Sequence, residues 1–151
     1  MKKFRFPLRS VATVRSMREL RAREQFSLAV HACVAAEENL RNLQVRLSAL
    51  EEVLRTGRAH TFRAGDQVTF IDAYKNETEA VTKAATEVEK ARAAMEKARQ
   101  AWLVSRRDLK VVENLEQKAR LVYRHEVERA DQAALDDRTN ALSARAAAQN
   151  L

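Results

Sequence analysis

The side chains best suited to chemistry are few in this 151-residue chain, and they lie far apart. Cys33 is the one cysteine and the histidines are His31, His60 and His125. No cluster of thiolates and imidazoles therefore falls at the spacing a transition-metal site uses, and an internal disulfide is excluded. Phosphate cradling needs a glycine-rich loop, but the glycines are only Gly57 and Gly65. No nucleophile is paired with a base, and the carboxylates are interleaved with Lys and Arg as on a solvated helix face. The expectation is no catalysis, no cofactor and no metal, in a reducing compartment.

What remains is charge. The net charge is +7, and the first 24 residues hold eight cations (Lys2, Lys3, Arg5, Arg9, Arg15, Arg18, Arg21 and Arg23) against Glu19 and Glu24. The rest of the chain is close to neutral. Such a block suits an acidic protein groove, nucleic acid or an anionic membrane surface, and it equally suits a solvated helix end.

The elements that must carry these residues follow from the glycines and the proline. After Pro7 there is no further proline, and both glycines bracket the nine-residue stretch GRAHTFRAG. Residues that end helices are thus confined to one place, which predicts two long helices and one turn. Composition agrees: hydrophobic residues make up 46% but 27 of them are Ala, aromatics reach only 5% and charged residues 32%, the profile of a coiled coil without a thick core. No apolar run approaches the ~20 residues of a membrane span. MKKFRFPLRS also lacks the apolar stretch of a secretory signal, and Pro7 interrupts what would otherwise be an Arg-rich, transit-like start.

Helix 1 carries an unbroken 4,3 alternation through Ala22, Phe26, Ala29, Cys33, Ala36, Leu40, Leu43, Leu47, Leu50 and Leu54. Helix 2 repeats it through Phe70, Tyr74, Glu77, Val81, Ala84, Val88, Ala91, Met95, Ala98 and Trp102. The lists are mirror images, so one antiparallel register centred on residue 62 faces all ten layers. Large residues meet small ones in several layers, such as Phe26 with Ala98 and Leu40 with Ala84. Cys33 then reads as an inert core residue and Trp102 as packing rather than a ligand platform. Gly57 can take the left-handed conformation that closes helix 1, and Asp66 after Gly65 can cap the first amides of helix 2.

Toward the open end the register degrades: Glu19 faces Ser105, Arg15 faces Leu109 and Ala12 faces Val112. Helix 2 continues with Leu115, Ala119, Tyr123, Val127, Ala130 and Ala134, and everything beyond about residue 116 is expected to overhang without an intramolecular partner. That leaves an apolar stripe for another molecule. The fold expectation is all-α, a long antiparallel two-helix coiled-coil hairpin with helix 2 overhanging at the open end. It forms a single domain, with helix 1 over about 8–56, a turn over 57–66, helix 2 over 67–140 and a frayed tail over 141–151.

Three stretches resemble the flagellar FliJ family, the coiled-coil component of the flagellar type III export apparatus. The opening KKFRFPLRSVATVRSMRELRARE is similar to that family's basic, Phe-containing start, and CVAAEENLRNL is similar to a C-x-x-A-E-E-x-L-x-x-L run. In helix 2, Ala98, Trp102, Leu109 and Leu115 keep an A-x3-W-x6-L-x5-L spacing, followed by RADQAALDD. The resemblance implies a cytoplasmic stalk, peripheral to the cell membrane at the flagellar base. Such a stalk enters the hexameric export ATPase and links it to the export gate, with export chaperones as further partners. It implies that the ATPase meets Phe4, Phe6, Leu8, Val11, Arg15 and Arg18 together with Tyr123, Val127, Arg129, Asp131, Gln132, Asp136 and Asp137. The gate's cytosolic domain would meet Leu43, Phe70 and Tyr74. Arg46 and Leu50 depart from the family pattern, in which aromatics can stand on helix 1 near the tip. Two other readings stay open: a nucleic-acid-binding basic coiled coil, disfavoured because no aromatic platform accompanies the cations, and the stalk or adaptor of a virulence-type secretion system.

Overall fold

A computed structural model describes residues 3–57 and 63–149. They form two helices, α1 over Arg9–Gly57 and α2 over Ala64–Gln149, and no strand occurs among the described residues. Both elements arise from sequences almost free of helix breakers and rich in Ala, Leu, Glu, Lys and Arg, whose helix propensity is high. The helices pair antiparallel as a hairpin, and the 86 residues of α2 far exceed the 49 of α1. Residues 58–62, which hold most of the expected turn together with His60, lie outside the described residues.

Two details at the turn differ from expectation. Gly57 ends α1 with helical backbone, and no described residue has a positive φ, so the left-handed cap is not used there. α2 begins at Ala64, which puts Asp66 inside the first turn, where its amide donates to the Arg63 carbonyl at 3.0 Å. Asp66 therefore supplies negative charge at the positive end of the helix rather than capping it. At the far end α2 runs past Asn140 to Gln149, where a frayed tail was expected; alanine occupies five of the positions 141–148 and sustains the helix.

The chain divides into two compact units, Glu19–Ser105 and Met1–Arg18 with Arg106–Leu151. In Glu19–Ser105 all twenty seam positions are sheltered, with Cys33, Ala84 and Val88 fully buried. Across this seam Arg92 donates through Nε and Nη2 to Glu37 Oε1 at 3.0 and 2.8 Å, Arg46 pairs with Glu77, and the Tyr74 hydroxyl reaches Glu51 at 3.3 Å. The Glu37 hydrogen bond raises the Arg92 pKa above its ordinary value. Each interhelical pair falls within about a turn of the register read from the heptads. Exposed pairs of this kind contribute little to stability, roughly 0–1 kcal/mol each, so burial along the seam holds the unit together.

At the aromatic layer the contacts shift by one turn. Phe26 stacks on Trp102, with ring centroids 5.6 Å apart and planes 9° from parallel, and the Trp102 Nε1 donates to Glu19 Oε1 at 2.8 Å. Long helical side chains lean toward the N-terminus of their own helix, so in an antiparallel pair these two lean toward each other. The indole thus gains both a stacking partner and an acceptor for its N–H.

Candidate functional site

The side chains that the sequence assigns to partner contacts fall in two places, one in each unit. In Met1–Arg18 with Arg106–Leu151 the apolar layers continue despite the degraded register: Ala12, Arg15, Leu109 and Ala119 are half-buried and Val112 is only 2% exposed. Arg15 is held by its Nη1 donating to the Asp108 carbonyl at 2.8 Å, so this arginine spans to α2 instead of standing free. Arg18, by contrast, is exposed.

The segment before α1 changes the expectation for α2. Arg9 N donates to the Phe6 carbonyl at 3.4 Å and Ala12 N to the Leu8 carbonyl at 2.9 Å, which begins α1 just past Pro7. Ahead of that turn, Phe4 lies with its ring centroid 5.5 Å from Tyr123 at an interplanar angle of 55°, and Phe6 is only 8% exposed. The stretch of α2 just past residue 116 therefore has an intramolecular partner, correcting the reading of a bare overhang. The cause is simple: the Phe4 ring leaves water for the Tyr123 ring and the Arg120 guanidinium, and Phe6 beside it in the strap is itself buried. Residues 130–148 of α2 are exposed throughout, including Arg129's neighbours Asp131, Gln132, Asp136 and Asp137. Gln132 donates to Asp136 Oδ1 at 3.0 Å along the helix.

Leu8 just ahead of α1, Val11, Val14 and Met17 on α1, and Val111, Leu115, Leu121 and Val122 on α2 remain exposed in this unit. Val14 and Met17 were not singled out by the heptad pattern because they lie off the seam. Their signal is apolar residues recurring among arginines on the outer faces of the helix. Arg120 was likewise missed: its guanidinium sits 5.3 Å from the Phe4 ring centroid and donates to Glu116 Oε1 through Nε and Nη2, at 3.1 and 2.7 Å.

In Glu19–Ser105 the assigned residues Leu43, Phe70 and Tyr74 are half-buried seam members. Tyr74 separates two shallow depressions, one lined by Glu51, Leu54, Arg55 and Ile71, the other by Lys75, Thr78, Glu79, Thr82 and Lys83. Ile71 is 47% exposed and Val68 lies nearby in sequence with a similarly open side chain, so an apolar edge accompanies the tyrosine. Neither was picked out from sequence, because each falls next to the seam instead of on it.

Among the described residues no set of three or more His, Cys, Asp or Glu side chains could hold a metal ion. No described helix is long and apolar enough to cross a membrane. The arrangement is two helices that present edges of mixed apolar and charged character, which is suited to contact with other macromolecules.

Comparison with known proteins is consistent with that. Neither the curated proteins nor the solved structures gave a match. The family model described as flagellar FliJ protein matches residues 4–148, nearly the whole chain, and so spans both helices and the strap. The chain belongs to the flagellar FliJ family, coiled-coil proteins of flagellar export.

Proposed function

We propose that this protein is the cytoplasmic stalk that joins the hexameric flagellar export ATPase to the export gate, working at the membrane-peripheral base of the flagellum and in contact with export chaperones. The observation that carries the reading is the juxtaposition, in one unit, of an acid-free, arginine-bearing α1 start with exposed Leu8, Val11, Val14 and Met17. Cations interleaved with apolar side chains fit a protein groove of complementary charge, and charge steering speeds such docking. Leu8 just ahead of α1, Val11 and Arg18 on it, and Tyr123, Val127, Arg129, Asp131, Gln132, Asp136 and Asp137 on α2 form the ATPase-facing set. Arg15 fixes the spacing of the helices, and Phe4 and Phe6 hold the strap. Tyr74, with Phe70, Leu43 and the exposed Ile71, forms the gate-facing set.

The two sets are separable by mutation. Arg18→Glu, in an exposed position, should leave helicity unchanged while reducing stimulation of the purified export ATPase several-fold. Tyr74→Ala should keep that stimulation while reducing export in cells. If both variants lose stimulation and export together in proportion to lost stability, the division into a ring end and a gate end is wrong. If Arg18→Glu instead abolishes salt-sensitive binding to arbitrary DNA or RNA and spares the ATPase, the protein is a nucleic-acid binder.

A further inference from the structure

The strap ahead of α1 is not part of the heptad scheme, and its contacts are those of a ring in a fitted seat. Tyr123 forms one wall, 5.5 Å from Phe4 between centroids. Arg120 lies over the same ring at 5.3 Å, and Glu116 clamps that guanidinium by accepting from Nε and Nη2 at 3.1 and 2.7 Å. A guanidinium already fixed by a carboxylate is pre-organised for an aromatic face, because its orientation needs no further ordering. Phe6 anchors the strap nearby at 8% exposed, whereas Phe4 itself stays half-exposed.

Holding the strap costs the backbone entropy of the few residues from Lys3 to Leu8, set against the burial of two rings. These terms are of comparable size, so the seat opens readily. Beside the ring a hollow is lined by Arg5, Phe6, Pro7 and Arg9 from the strap and the start of α1, and by Glu116 and Arg120 from α2. The seat therefore has both a recognisable ligand, an aromatic side chain, and room for a larger partner around it.

We propose that Glu116, Arg120 and Tyr123 form a docking seat for an aromatic side chain presented by the export ATPase, and that residues 3–8 occupy it in cis until the partner displaces them. This rests on the reading above that the ATPase meets this end of the chain. A competitor tethered in the same chain lowers the apparent affinity by the fraction of molecules whose seat is closed. Removing the competitor must then strengthen binding, the opposite of what loss of a contact residue does.

The test titrates the full-length protein with purified export ATPase. Phe4→Ala should bind about two- to tenfold more tightly than the unaltered chain, the range expected for loss of one aromatic contact from the closed state. Its association should be faster and its far-ultraviolet circular dichroism unchanged. Tyr123→Ala, which removes the seat itself, should weaken binding in the presence or absence of Phe4. Trypsin cleavage after Arg5, followed by mass spectrometry, reads the strap directly: it should speed up in Phe4→Ala and also in the unaltered chain once the ATPase is bound. Unchanged or weaker binding by Phe4→Ala, or protection of Arg5 in the complex, overturns the proposal by making the strap part of the interface. If no form of the protein binds the ATPase, the functional reading falls and the proposal with it, whereas binding that Phe4→Ala leaves unaltered overturns the proposal alone.

Discussion

Between Glu19 and Ser105 shelter follows the heptad: every seam position of both helices is covered, and most residues off the seam, such as Val34 at 55% exposure, stand in solvent. In the unit formed by Arg18 and its predecessors with Arg106 and its successors, shelter is assembled from unlike parts. Val112 is buried in a helix–helix layer, Arg15 crosses to a backbone carbonyl, and Phe4 and Phe6 arrive from a segment that is not helical. The first region is a repeat whose layers support one another. The second is a set of single contacts, each replaceable without disturbing a period. A region of the second kind is the easier one to rearrange on binding, since local opening there breaks few buried contacts.

The strongest test of the repeat is covalent. Cys33 and Ala91 are both sheltered seam positions on opposite helices. Oxidised Ala91→Cys should bridge to Cys33 within one chain and, by closing a long loop, stabilise it by about 4 kcal/mol against the reduced form. Lys90→Cys, whose side chain leaves the seam for solvent, should gain nothing. The readout is the melting temperature with and without reductant. Equal stabilisation of both variants, or bridges only between chains, would break the layered register and with it the contrast between regions.

Next in size is an unpaired charge in the seam. Val88 is 2% exposed, so Val88→Asp should destabilise by on the order of 3 kcal/mol, because a carboxylate there has neither water nor a partner. Val34→Asp, outside the seam, should stay within about 0.5 kcal/mol. Urea melts of the pair measure how sharply the repeat distinguishes inside from outside, and similar losses for both would show that the seam is not where burial sits.

These residues also show what could be read from the chain beforehand and why. A 3.5-residue period over ten layers is redundant, so twenty positions vote for one register and single departures such as Glu77 do not unseat it. The strap has no period. Its signal is local, two aromatics alternating with cations directly before Pro7, and nothing in Phe4 or Phe6 names Tyr123 as the partner. The shifted Phe26–Trp102 contact was equally hidden, because it depends on side-chain lean and not on spacing. At Gly57 a residue type that permits a left-handed cap does not use it, and α1 ends on this residue with helical backbone. For the candidate sites, the residues on the seam were found by period, while Ile71 and Arg120 lie beside it and became visible only through their neighbours.

Glu77 sharpens the comparison from within the repeat, as the one polar member of its seam. One carboxylate oxygen accepts from Arg46, and the other is buried without a protein partner. Replacing a half-satisfied buried charge by an apolar side chain commonly costs nothing or stabilises. Glu77→Leu should accordingly raise stability by about 1 kcal/mol in urea melts. A clear loss instead would mean that the Arg46 pair contributes more than its exposed arginine suggests, and that polar contacts help define this region after all.

The smallest effect concerns charge on the outside of the repeat. Glu96 is exposed, and its pKa is held below the ordinary carboxyl value first by the Gln100 Nε2, which donates to its Oε1 at 2.7 Å, with Arg99 assisting against partial desolvation. A carboxyl whose folded pKa is lowered adds stability that is present above its unfolded pKa, about 4.3, and is lost as pH falls through the folded value. Gln100→Ala removes the principal cause while keeping the charge. The variant should be slightly less stable than the unaltered chain at pH 7, and the two should converge as the pH is lowered through the acid range. Because the group is solvent-exposed, the whole difference should sit near the limit of a urea-melt series and shrink further in high salt. A gap that instead persists undiminished at low pH would assign the effect to packing of the Gln100 stem, and would show that the outer faces of this region contribute to its fold by more than solvated charge.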